Sequence, residues 1–213
     1  MENGQFQVAK LITEYKTDAN IRNKIQSTTF DTAQYGGDED RKDEGKASLI
    51  AAAEEGNITI VKSLLERGVD VNGRDATNWN PLEIAAYKGN LDVVRLLVDR
   101  GAEVDSHDKV GLTPLGFAYK YGHLEVSRVL VDQGANMNAR SQYHWTPVHL
   151  SAEHGHLGVV KLLLERGADV HALNDEGETP YERALQRGYR EIADLLREHG
   201  AGGERFEKIL LFL

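Results

Sequence analysis

The stretch Asn80-Pro81-Leu82-Glu83-Ile84-Ala85-Ala86-Tyr87-Lys88-Gly89-Asn90-Leu91 decides the fold, because it recurs along the chain. The four prolines stand at Pro81, Pro114, Pro147 and Pro180, each 33 residues after the last. Gly56, Gly89, Gly122, Gly155 and Gly188 keep the same step, as do Gly68, Gly101, Gly134, Gly167 and Gly200. Three markers in one register define an internal repeat, and a fixed period of this size is the mark of a stacked array.

One unit can be read physically. Thr113-Pro114, Thr146-Pro147 and Thr179-Pro180 put a hydroxyl at a helix N-cap and proline at the first helical position. Asn80-Pro81 does the same with an amide. A glycine about two turns later suits the left-handed residue that ends a helix. A second apolar run follows, such as Leu91-Asp92-Val93-Val94-Arg95-Leu96-Leu97, closed by Gly101. A turn-prone segment, Ala102-Glu103-Val104-Asp105, leads to the next unit. Helices this short are not stable alone, so each must bury its apolar face against its neighbours.

Thr146-Pro147-Val148-His149-Leu150-Ser151-Ala152, followed by Gly155-His156-Leu157 and Gly167-Ala168-Asp169-Val170, closely resembles the ankyrin repeat. The resemblance covers about residues 46–201. It implies an all-α solenoid of about five helix-turn-helix repeats with short β-hairpin tips. It also implies a non-catalytic protein-interaction module, an adaptor, scaffold or inhibitor, that meets its partner through the concave groove and hairpin tips. A scaffold used for many partners does not by itself name one. The alternative is an enzyme or catalytic subunit with a pocket on the concave face or in the N-terminal segment.

The organisation expected is a non-repeat, helical segment over 1–30 and a charged linker over 31–45. Five repeats over 46–201 and an apolar tail over 202–213 follow. Val8, Leu11, Ile12 and Tyr15 lie at helical spacing and would cover the first repeat. The tail ends Ile209-Leu210-Leu211-Phe212-Leu213, and either folds over the last repeat or serves as a linear motif for another protein.

Bulk composition narrows the function. The net charge is −9, which argues against nucleic acid as the main partner. There is no cysteine, so no disulfide framework, thiolate metal site or cysteine nucleophile. No apolar run is long enough to span a bilayer. No basic segment followed by an apolar run begins the sequence, so the expected location is intracellular, cytoplasmic or nuclear. His144, His149, His154 and His156 look clustered, but the repeat accounts for much of this. His149 holds the fourth position of the Thr-Pro motif, where the resemblance implies an internal hydrogen-bonding role. No nucleophile elbow, phosphate loop or dinucleotide fingerprint is present. No metal and no cofactor are expected.

The candidate contact residues lie between the motif positions. Two residues before each proline stand Trp79, Leu112, Trp145 and Glu178, so both tryptophans share one repeat position. The ends of the first helices add Tyr87-Lys88, Lys120-Tyr121 and Glu153-His154, with Lys109 and Tyr143 on the hairpins. Tryptophan is a frequent hot-spot residue. Together these residues suggest a groove for an extended protein segment carrying acidic and apolar side chains. Repeat 3 departs most from the pattern: Gly116 stands where repeat 4 has His149, Tyr119 replaces Ala86 and Ala152, and Ser127 replaces Val94 and Val160. Tyr119 is expected to be displaced or to face a partner, which would make repeat 3 the weak point of the stack. The resemblance further implies Asn72 and Asn138 as hydroxylation positions; a turn-stabilising asparagine is the plainer reading.

Overall fold

A computed structural model describes residues 38–141 and 143–202, with side chains from Gly45 onward. The chain divides into two compact units, Met1–Ser48 and Leu49–Leu213. Ten helices lie among the described residues: α1 (Asp38–Glu55), α2 (Ile58–Glu66), α3 (Pro81–Lys88), α4 (Leu91–Asp99) and α5 (Pro114–Lys120). They continue with α6 (Leu124–Asp132), α7 (Pro147–Glu153), α8 (Leu157–Glu165), α9 (Pro180–Gln186) and α10 (Arg190–Glu198). They form five helix pairs in the expected register.

The boundaries follow from local chemistry. Asn80 Oδ1 accepts the Glu83 N–H at 2.8 Å while Glu83 Oε2 accepts the Asn80 N–H at 3.2 Å. This reciprocal cap satisfies two donors that the first turn of α3 leaves open. Thr179 and Glu182 do the same for α9. Helix α3 ends where Gly89 turns left-handed at φ 76°, and the Asn90 N–H then bonds Ala85 O at 3.0 Å.

The hairpin tips are tight turns, and no strand occurs among the described residues. Each tip is closed by an outer backbone bond of 3.0 Å, from Asp75 to Trp79, Asp108 to Leu112, Ser141 to Trp145, and Asn174 to Glu178, with a second bond inside the turn back to the first residue of the tip. Two bonds within one five-residue turn make no ladder. The last but one residue of each tip has positive φ, which glycine supplies in two tips. His144 holds the same conformation at φ 55°, where its Nδ1 lies 2.5 Å from Asp175 Oδ1 of the next repeat.

Two expectations need correction. The expected linker over 31–45 is helical from Asp38 onward, as part of α1. Four Glu, four Ala and two Lys over Asp38–Glu55, all strong helix formers, outweigh its three Asp and one Gly. The segments 1–30 and 203–213, with their proposed capping and docking roles, lie outside the described residues. Tyr119 is neither displaced nor partner-facing: it is fully buried. Its bulk is accompanied by the smaller Ser127, also fully buried, whose hydroxyl donates to His123 O at 2.9 Å. The Tyr119 hydroxyl finds no hydrogen-bond partner among the described residues. Burial pushes its pKa up.

Neighbouring repeats lock through the glycine that ends each first helix. His123 Nε2 donates to Tyr87 O and His156 Nε2 to Lys120 O, each at 2.9 Å. Asn90 Nδ2 plays the same part for Ala53 O at 2.8 Å. A Cβ on Gly122 would lie 2.5 Å from His156 Nδ1, and one on Gly89 equally close to His123 Nδ1. The rings therefore fit only because these positions carry no side chain. Around these seats Leu82, Leu97, Leu115, Leu130, Leu163 and Leu196 are at most 1% exposed. Each such leucine contributes about 1.5–3 kcal/mol.

Gly122→Ala is expected to destabilise the protein by about 1–3 kcal/mol more than Gly134→Ala, because overpacking adds to the shared backbone strain. Gly134 has the same left-handed backbone but nothing within 4 Å of its Cβ position. Equal losses in urea denaturation would contradict the ring-on-glycine seat. Tyr119→Phe is expected to raise stability by about 1 kcal/mol, since it removes an unpaired buried hydroxyl. A loss would show that the hydroxyl is bonded.

Candidate functional site

The tip of repeat 2, the end of helix α3 and helix α5 with the residue after it bring four aromatic rings together. Trp79 lies 4.8 Å from Phe117 and 5.7 Å from Tyr87, between ring centroids. Tyr87 meets Tyr121 edge-on at 4.7 Å. Such tilted and edge-on contacts are favoured by the ring quadrupoles. Tyr121 remains 42% exposed, Phe117 is buried beneath, and Trp79 and Tyr87 are half-buried. The tip of repeat 2 presents Trp79 because Asp75 Oδ1 accepts both the Thr77 and Trp79 N–H groups.

Two lysines flank the rings. Lys88 Nζ stands 5.0 Å from the Tyr87 centroid and Lys120 Nζ 5.6 Å from that of Tyr121. Lys88 also pairs with Glu54 at 3.0 Å. Burial pushes the Tyr121 hydroxyl pKa up, with the hydroxyl of Tyr87 adding to the shift. The ring faces are thus supplied with cations from within the chain, so a further cation is disfavoured and an anion is favoured.

Repeats 4 and 5 build a different surface. Arg183 lies 4.9 Å over the Trp145 ring. It also donates to Glu153 Oε2 at 2.9 Å and Glu178 Oε2 at 2.8 Å. Arg187 holds the other oxygen of Glu153, and Gln186 donates to Glu178 Oε1 at 2.5 Å. Burial works to raise both carboxyls, but their hydrogen bonds win: Glu153 is lowered and Glu178 falls to about 2. Arg183 therefore covers one face of Trp145, which is half-buried like Trp79, and Glu153, whose side chain is only 9% exposed, is engaged internally.

The candidate residues accordingly separate. Trp79, Tyr87, Lys88, Lys120 and Tyr121 come together; Trp145 and Glu153 belong to the Arg183 network. Leu112 is half-buried, with its Cδ2 3.2 Å from the Cβ position of Gly116. Lys109 is exposed, as is Tyr143 on its hairpin at 59%. His154 is exposed and bonds Leu150 O through Nδ1 at 2.9 Å. Two contributors were missed, Phe117 and Arg183. They share one repeat position with Ile84 and Leu150, so a charged residue at an otherwise apolar position was the available signal for Arg183.

The buried polar groups are structural. Burial pushes Glu83 up, against hydrogen bonds from Asn80 and Arg74 and the charge of Arg74 at 3.0 Å. Burial pushes His149 down, so it is neutral. Its Nδ1 accepts the Thr146 N–H at 3.3 Å and its Nε2 donates to Glu178 O at 2.9 Å. That is the internal role expected for it. Asn72 Oδ1 accepts the Glu103 N–H at 2.9 Å, which favours turn stabilisation for that residue. Among the described residues no group of three His, Asp or Glu side chains is placed to hold a metal ion. None of the described helices is long and apolar enough to cross a membrane.

A model of the family described as "Ankyrin repeats (3 copies)" matches residues 1–108, 100–174 and 142–205. The chain belongs to the ankyrin-repeat family. The first match reaches back to residue 1, ahead of the repeats that the glycine and proline spacing marks. The chain is also similar to alpha-latrocrustotoxin-Lt1a of Latrodectus tredecimguttatus, 32% identical over 83 residues. Those residues are 38% of this chain and 4% of that much longer protein. The likeness lies between ankyrin arrays and carries no specific function.

The Arg183 network fixes an acid limit for the last two repeats. Glu178 has its pKa depressed from the ordinary 4.5 to about 2 in the folded chain. Its contribution is therefore fully present above about pH 5 and is lost as pH falls towards 2. Trp145 fluorescence, read in a Trp79→Phe background, is expected to change across that window. Arg183→Ala should shift the change to higher pH. An unchanged midpoint would exclude the network as its cause.

Proposed function

We propose that this ankyrin-repeat protein binds another protein through the face formed by the first helices of repeats 2 and 3. Ankyrin repeats are generally protein-interaction modules. The finer reading rests on one observation: the Trp79–Phe117–Tyr87–Tyr121 cluster lies partly open between Lys88 and Lys120. The partner is an extended segment carrying apolar and acidic side chains. Its apolar groups cover the rings of Trp79 and Tyr121, and its carboxylates meet Lys120 and Lys88. In a chain of net charge −9 this basic edge also orients an acidic partner on approach.

The role is non-catalytic binding, as an adaptor, scaffold or inhibitor. It takes place without a cofactor and inside a cell. Support comes from the fate of the shifted groups: Glu83, His149, Glu153 and Glu178 spend their hydrogen-bonding capacity within the chain. A catalytic acid or base needs a free position facing substrate.

Selection from a random peptide library is expected to enrich Asp or Glu beside aromatic or aliphatic residues. Tyr121→Ala is expected to weaken the selected peptides about tenfold or more, the loss typical of a hot-spot truncation. Lys120→Glu is expected to turn the charge preference from acidic to basic. Lys62→Ala, an exposed change on helix α2 outside both this face and the loops of repeats 3 and 4, should bind as the parent does. Enrichment of basic peptides by the parent chain, or equal binding by Tyr121→Ala, would reject this face.

A further inference from the structure

The third residue of each first helix from repeat 2 onward fills a polar seat, except in repeat 3. In repeat 2, Glu83 accepts the N–H of Asn80 at 3.2 Å and donors from Asn80 Nδ2 and Arg74 Nη2 at 3.1 and 3.0 Å. In repeat 4, His149 Nδ1 accepts the Thr146 N–H at 3.3 Å. In repeat 5, Glu182 Oε2 accepts the Thr179 N–H at 2.7 Å and its hydroxyl at 3.0 Å. Repeat 3 has Gly116 at this position. Thr113 is only 7% exposed, and its Oγ1 accepts the Gly116 N–H at 3.1 Å. Neither its backbone N–H nor its hydroxyl proton meets an acceptor among the described residues.

A cavity of about 310 Å³ opens beside it, lined by Asp105, His107, Thr113, Ala139 and Arg140 among others. The lining repeats the Glu83 seat one step along the chain. Adding 33 to each number turns Arg74 into His107, Asn80 into Thr113, Ser106 into Ala139 and His107 into Arg140. The positions around the Glu83 carboxylate thus recur here, with His107 in place of the Arg74 guanidinium, Ala139 without the Ser106 hydroxyl and Arg140 as the new cation, while the carboxylate itself has no counterpart.

We infer that this cavity is a seat for a carboxylate carried by another molecule. Thr113 supplies two donors. Arg140 supplies charge: among the described residues it bonds only Leu173 O, at 3.4 Å, and pairs with no carboxylate. Asp105 also lines the cavity, and its Oδ1 is engaged by the Asn136 N–H at 2.8 Å. The ligand is small, because the cavity holds only about 310 Å³. It is either a free carboxylic acid or an acidic side chain of a bound protein. The seat is independent of the aromatic face.

The test uses the full chain and follows the Thr113 amide by NMR, with the Asn80 amide as internal control. Acetate and a glutamate blocked at both ends are the probes, and chloride at matched ionic strength is the blank. A saturable shift at Thr113 with Asn80 unmoved is expected. Gly116→Glu should abolish that response by supplying the carboxylate from within. It should also raise Tm by about 2–4 °C, as a new cap would. Only the flexible tip of Leu112 must give way to the new Cβ. Arg140→Gln, an exposed change that leaves the core intact, should weaken binding about tenfold. Saturation by blocked glutamate identifies a seat open to a protein side chain, and saturation by acetate alone one for free acids. A shift that never saturates with either probe, or that is equal in all three proteins, overturns the inference.

Discussion

The structure depends on a ring of one repeat resting on a glycine of the repeat before it. His123 over Gly89 and His156 over Gly122 each fill space that any side chain would block, and each donates to a carbonyl at the end of the preceding first helix. A helix of seven or eight residues leaves most of its carbonyls without partners. The neighbouring repeat supplies the missing donor, so a helix too short to stand alone becomes stable only within the stack. This couples repeat to repeat more directly than apolar burial, which is non-directional.

The same coupling sets where function can lie. Repeats 4 and 5 are tied by Arg183, Arg187, Glu153 and Glu178, and that network occupies the face on which Trp145 would otherwise be open. Repeats 2 and 3 carry no such network on the matching face. Their rings meet one another, and Tyr121 is left exposed beside Lys120. One repeat position, holding Ile84, Phe117, Leu150 and Arg183, thereby separates an apolar surface from one that an arginine covers.

Much of this was legible in the sequence. The 33-residue spacing of proline and glycine sets the helix pairs, and the Thr-Pro and Asn-Pro pairs set their starts. The internal role of His149 was readable from its motif position. The two tryptophans were not separable, because their shared position gives no hint of which one Arg183 covers. That depends on a contact 38 residues away, from 145 to 183. Tyr119 was misread for a related reason. A large residue at a small-residue position suggests displacement, but the stack absorbs it, at the cost of an unbonded hydroxyl. The helix over 38–45 was hidden by a charge-rich composition that suits a linker and a helix equally.

The proposed binding face lies on repeats 2 and 3 and ends before Trp145. The two tryptophans give two separate indole N–H signals in an NMR spectrum, one on each side of that boundary. Titration with a library-selected acidic, apolar peptide is the most direct test. The Trp79 indole signal is expected to move and saturate while that of Trp145 stays in place. Movement of Trp145 with Trp79 unchanged would place the partner on the Arg183 surface instead and rule out the face on repeats 2 and 3.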